Sequence, residues 1–167
     1  MNAERITAEM HALESKLGYT FQNIELLAKA MQSVKLERRV QDGEHSREYS
    51  NESLAFLGDT IIKFLIARKL FAHDKRKGDM TEEKKTLEGN DTFHKIMKEE
   101  GLIGYAYHDT HFRKDDPPHH EQVIHSRHDP YIEAITAAIF LDSDWPGVTA
   151  WFESWLYPRL ERYRTLS

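Results

Sequence analysis

Apolar residues recur every three or four positions along almost the whole chain, and no segment shows the strict apolar–polar alternation of a half-buried strand. That period limits the chain to an all-α fold. At 167 residues it fits one domain, taken as 1–167, long enough to bury a real core. Ile6, Met10, Leu13 and Leu17 make a stripe that stops at Gly18, and Phe21, Ile24, Leu27 and Met31 make a second. The polar stretch 33–50 has no pattern and reads as a loop.

Leu54, Leu57, Ile61, Phe64, Leu65 and Leu70 then define a long helix over about 52–72, apolar almost all round and so expected at the centre. A further helix is expected to begin near Thr81, where Glu82 and Glu83 favour an N-terminus, and to be disturbed at Gly89 before ending at Gly101. A short helix over 102–107 follows. Residues 108–129 hold six of the ten histidines and a Pro-Pro pair, and read as an exposed loop. Asp129-Pro130 is a strong helix start, with Asp129 as N-cap and proline at N1. That helix runs through Leu141, and one from Val148 to Arg162 carries Trp151, Phe152, Trp155 and Leu156 as core or edge packing.

Composition narrows the function classes. With 23 Lys+Arg against 28 Asp+Glu, net charge −5, the surface as a whole is no nucleic-acid glove, so any RNA contact must be local. The absence of cysteine excludes disulfides and thiolate zinc sites, and an intracellular, cytoplasmic setting is the default. No apolar h-region opens the chain, and no run of about 18 apolar residues is present to span a bilayer.

The stretches LGYTFQNIELLAKAM, NESLAFLGD, GDMTEEKKTLEGND and EAITAAIFLD follow the order and spacing of a ribonuclease III catalytic domain, which the chain resembles over roughly residues 13–155. The resemblance implies an all-helical, two-fold homodimer with a groove for double-stranded RNA across the interface. It also implies an acidic cluster at each end of the groove that binds Mg²⁺, with Mn²⁺ as the substitute. Phosphodiester hydrolysis needs an activated water and charge compensation at the leaving oxygen, which divalent ions on carboxylate oxygens supply.

Carried over by position, Glu52 matches the first acid of the signature, Asp59 the aspartate after Leu-Gly, and Glu133 the glutamate of the later helix. The resemblance implies that these are the catalytic residues, with Asp59 and Glu133 as metal ligands. Asp79 matches less closely an acid beside the groove. The signature's middle glutamate is Ala55 here, and the family's aspartate three residues before Glu133 is Pro130, so two usual ligands are missing. Asp129, next to the vacant position, is an alternative ligand, although capping is its competing role and a one-residue shift turns a helical side chain by about 100°. His125 and His128 are further alternatives, but imidazole suits Zn²⁺, Mn²⁺ or Ni²⁺ better than Mg²⁺. His108/His111 and His119/His120 admit a zinc reading, against solvated histidines in a polar loop.

Asp59 and Glu133 each fall in an otherwise apolar helix, where an unpaired carboxylate is expensive, and this favours a cation site or a buried polar pairing. Glu52 has the simpler reading of an acid at a helix N-terminus. RNA-contact candidates are Lys84 and Lys85, inside a matching segment, and the run Lys75, Arg76 and Lys77, for which a solvated charged face is an equal reading. Phe56 and Leu57 match the family's dimer interface, the alternative being the monomer core.

The chain ends at Ser167 without the double-stranded RNA-binding domain usual in the family, so RNA affinity is expected from the nuclease groove alone. Two readings compete: an RNA-processing endonuclease, hydrolysing double-stranded RNA with a site impaired by Ala55 and Pro130, and a catalytically silent RNA-binding or structural subunit of the same fold. A metal sensor built on the histidine loop is the third.

Overall fold

The computed structural model describes residues 3–32, 36–39, 45–48, 51–106 and 130–164. The helices are α1 (Ala3–Leu17), α2 (Ile24–Met31), α3 (Glu52–Phe71), α4 (Lys77–Leu87), α5 (Asn90–Glu99), α6 (Tyr131–Trp151) and α7 (Tyr157–Arg164). A 3-10 turn at Ile103–Tyr105 follows α5, and a π-helical turn, Phe152–Leu156, joins α6 to α7. No described helix is long and apolar enough to cross a membrane. The histidine-rich segment 108–128 and Asp129 lie outside the described residues, and so does every metal reading placed on them.

The first element ends as its sequence demands. Gly18 takes φ +62°, which a glycine adopts without a Cβ penalty, and α1 stops. Two of the carbonyls left open at its end are satisfied from the far end of the chain. Trp151 Nε1 donates to Leu17 O at 2.9 Å and Trp155 Nε1 to Lys16 O at 2.7 Å, with the two indoles stacked 5.4 Å apart. The tryptophans are therefore core residues with a capping role.

Four expectations need correction. Residues 33–50 are not all loop: Leu36–Arg39 and His45–Glu48 (β1 and β2) pair antiparallel, Leu36 opposite Glu48 and Arg39 opposite His45. Strand pairing satisfies backbone groups and needs no apolar alternation, and Asp42-Gly43 between the strands is a hairpin signal. Helix α4 begins at Lys77, four residues before Thr81, because Met80 N–H already bonds Arg76 O at 3.0 Å across its first turn. At the other end of the histidine segment, Pro130 precedes the helix rather than opening it, and its carbonyl accepts from Ala134 N–H at 3.0 Å. The two expected helices abut within α6 at a kink, where Asp144 (φ 59°, ψ −167°) is non-helical ahead of Pro146, so the first runs slightly past Leu141 and the second starts before Val148.

The centre is the crossing of α3 and α6. Every residue of α6 from Tyr131 to Ile139 is buried, and each large aliphatic side chain there contributes about 1.5–3 kcal/mol by leaving water. Helix α3 is apolar all round for a different reason than a wholly central position. Leu54, Ile61, Ile62, Leu65, Ile66 and Leu70 face the core, while Phe56, Phe64 and Phe71 are exposed. Asp142 ties α6 to the start of α2. Its carboxylate accepts from Tyr19 OH (2.7 Å), Gln22 N–H (2.9 Å) and Asn23 N–H (2.8 Å).

Candidate active site

Helix α3 starts at a pinned point. Asn51 is fully buried and its Nδ2 donates to Ala30 O at 3.0 Å, fastening the first turn of α3 to the last turn of α2. Two turns later Gly58 meets α6. A Cβ there would lie 1.6 Å from the backbone oxygen of Glu133, so only glycine lets the helices approach this closely. The contact puts Asp59 and Glu133 side by side, on two helices with no sequence proximity.

Their environments differ. Glu133 is 8% exposed and its Oε2 has no hydrogen-bond partner among the described residues. Burial pushes its carboxyl up from an ordinary 4.5 to about 7, and the Asp59 charge adds in the same direction. A backbone hydrogen bond and the Lys63 charge oppose the rise. Asp59 is half-exposed, and its Oδ2 accepts from Lys63 Nζ at 2.7 Å, one turn along α3. That hydrogen bond, outweighing the burial of the lysine, holds the Lys63 ammonium above its ordinary value, with smaller contributions from the charges of Asp59, Glu88 and Glu133. Lys63 has a plain sequence signal, a lysine four residues after an acid, but reading that pair as a surface helix pair hides its place at the site.

The other acids do not join. Glu52 is exposed in the first turn of α3, Asp79 is exposed in the first turn of α4, and Ala55, buried, offers no oxygen. Among the described residues, no group of three or more His, Asp or Glu side chains is arranged to hold a metal ion. The retained carboxylates supply the hard oxygens Mg²⁺ prefers, but two acids with an ammonium on one of them do not fit a resident divalent ion.

The basic candidates are mostly paired. Lys75 bonds Glu83, which also takes Arg164 at 3.0 Å; Lys84 bonds Glu88 at 2.6 Å and Lys85 bonds Glu82 at 3.1 Å. Arg76 and Lys77 are exposed where the chain enters α4. Phe56 is 80% exposed, which removes it from the monomer core, whereas Leu57 is half-buried and packs on the core.

A family model described as Ribonuclease III domain matches residues 52–144. The chain is 32% identical over 161 residues to Ribonuclease 3 of Vibrio cholerae and 31% identical over 158 residues to Ribonuclease 3 of Aliivibrio fischeri. The alignments cover 95% and 93% of this chain and 65% of each relative, so the chain spans just under two thirds of their length. Among solved structures it is similar to the nuclease domain of ribonuclease III from Campylobacter jejuni, with a TM-score of 0.67 and 22% identity over 90% of this chain and 95% of that one. That structure is described as showing flexibility in a region involved in dimer formation. A second structure of the same domain gives a TM-score of 0.66 at 21% identity, covering 96% of this chain and 95% of that one.

Proposed function

Since the chain belongs to the ribonuclease III family, we propose that it is a nuclease domain for RNA processing, one that engages double-stranded or structured RNA as a two-fold homodimer. In this reading cleavage is weakened by the loss of two acids. The observation that supports a retained site is Glu133, a buried carboxyl with an unpartnered oxygen, held by the Gly58 contact beside Asp59. A carboxyl raised to about 7 takes up or gives up a proton near neutrality, which is the property needed of a group handling the water of phosphodiester hydrolysis. Glu52, exposed in the first turn of α3, stands apart from this pair and in this reading contributes only negative charge near it. Mg²⁺ or Mn²⁺ is not resident in this reading and would bind only transiently, because Ala55 and Pro130 contribute no carboxylate.

RNA would be held by shape and phosphate contacts from Arg76 and Lys77, with Lys75, Lys84 and Lys85 recruited by exchanging their acidic partners for phosphates. The exposed Phe56, with Leu57 behind it, would form the two-fold contact. A second reading, a silent RNA-binding subunit, draws on the ammonium of Lys63 seated on Asp59.

The deciding assay is cleavage of a long perfect RNA duplex with Mg²⁺ or Mn²⁺, beside an Asp59→Asn control. Cutting that vanishes in the control supports the weakened nuclease. Duplex binding with no cutting in either protein establishes the silent subunit, and no binding at low salt refutes both. About six phosphate contacts would make log affinity fall with log salt at a slope near −5.

A further inference from the structure

The outer face of α3 is apolar where a helix beside solvent should be polar. Phe56, Phe64 and Phe71 are 80%, 51% and 76% exposed. With exposed Thr60 and Ala67 they lie within about 80° of one another around the helix axis, along about 22 Å of its length. Asp59 and Lys63, bonded to each other, border the strip on one side and exposed Arg68 borders it on the other, so an apolar strip has a polar rim. The strip continues onto α6. The backbone at Asp144, with its positive φ, is one that side chains rarely adopt, and its Oδ1 accepts from Trp145 N–H at 2.8 Å. Beyond this turn the exposed Trp145 ring sits edge-on to Phe64 (5.3 Å) and Phe140 (5.0 Å), and Leu141, four residues earlier, is exposed as well.

We propose that this strip is one half of a self-complementary contact, covered by α3 of a second copy of the chain running antiparallel about a two-fold axis between Lys63 and Phe64. The inference rests on the homodimer proposed above and extends its contact from Phe56 and Leu57 to Phe71 and Trp145. The order of the side chains fits a two-fold partner. Large at 56, small at 60, large at 64, small at 67 and large at 71, the strip reads the same in either direction, as contact between antiparallel copies of one helix requires. An axis at that point sets Thr60 against Ala67 of the second copy, where two small residues let the backbones approach, and Phe56 against Phe71 of the second copy. The size fits as well. From their exposures, the three phenylalanines, Trp145 and Leu141 leave roughly 500 Å² of apolar surface on each copy, at the upper end of what a monomer shows. Covering it on two copies removes about 1,000 Å², enough for a specific interface.

The chain has no cysteine, so introduced thiols report the register of the contact without background. Oxidised in the full chain, the double variant Thr60→Cys/Ala67→Cys is expected to run as a covalent dimer on a non-reducing gel. Thr60→Cys and Ala67→Cys alone should stay uncross-linked, because each position lies about 10 Å along the axis from its own counterpart, beyond the roughly 7 Å between Cα atoms that a disulfide spans. Phe71→Asp should weaken the dimer at least about tenfold in sedimentation, with its helices intact by far-UV circular dichroism, as an exposed position allows. A wild-type chain that sediments as a monomer overturns this proposal and the homodimer together. A dimeric wild type whose double variant fails to cross-link, whose single variants cross-link equally well, or whose Phe71→Asp variant stays dimeric overturns the strip alone and leaves the homodimer standing.

Discussion

Glu133→Gln isolates the cost of holding a carboxylate where α6 is otherwise apolar. The folded carboxyl sits at about 7 against an ordinary 4.5, chiefly through burial. Its contribution to stability is therefore fully present below 4.5, where folded and unfolded chains both carry the proton. It is lost as pH rises through 7, because the folded protein must then ionise a group that the unfolded chain ionised earlier. A shift of two to three units corresponds to about 3 kcal/mol between these limits.

Glutamine has nearly the same shape and never ionises. Any cost of housing its amide is the same at every pH and drops out of the slope. Urea unfolding with a chelator present and protein concentration fixed, from about pH 4.5 to about pH 8, should show the variant gaining on the wild type by about 3 kcal/mol. In a thermal scan the gain would be about 6–12 °C at the upper end, for a domain of this size. Stability curves that stay parallel across this range would refute the claim that Glu133 is an unpaired buried carboxyl.

Gly58→Ala forces a methyl group into the Glu133 carbonyl and should destabilise by about 2–4 kcal/mol, seen as a lower urea midpoint. Asp142→Ala frees two backbone N–H groups and one hydroxyl at the start of α2. It should cost about 2–3 kcal/mol, with hydrogen exchange at Gln22 and Asn23 speeding up most. Phe56→Asp should leave each subunit folded, since the ring is exposed, yet shift sedimentation from dimer to monomer. An unchanged sedimentation profile would remove Phe56 from the interface.

The helices were legible in sequence because helical period is a local property: Gly18 marked one end and the run of apolar residues marked α6 as buried, while the disturbance expected at Gly89 inside one helix is a full break between α4 and α5. The positions of Asp59 and Glu133 in apolar helices were equally plain, and so were the missing oxygens of Ala55 and Pro130. The hairpin escaped because backbone pairing leaves little trace in side-chain pattern, and the bend at Asp144 because it joins two segments that each read as a helix.

What no local pattern contains is which side of an all-apolar helix meets another helix. Only the crossing at Gly58 decides that Glu133 is buried with an unpartnered oxygen while Asp59, next to that glycine, is left open enough to take Lys63. The same crossing turns Phe56 outward and Ala55 inward, although both sit in one unbroken apolar run. Sequence fixes which groups a helix carries; burial, and with it the charge a carboxyl can bear, depends on the neighbours that close over it.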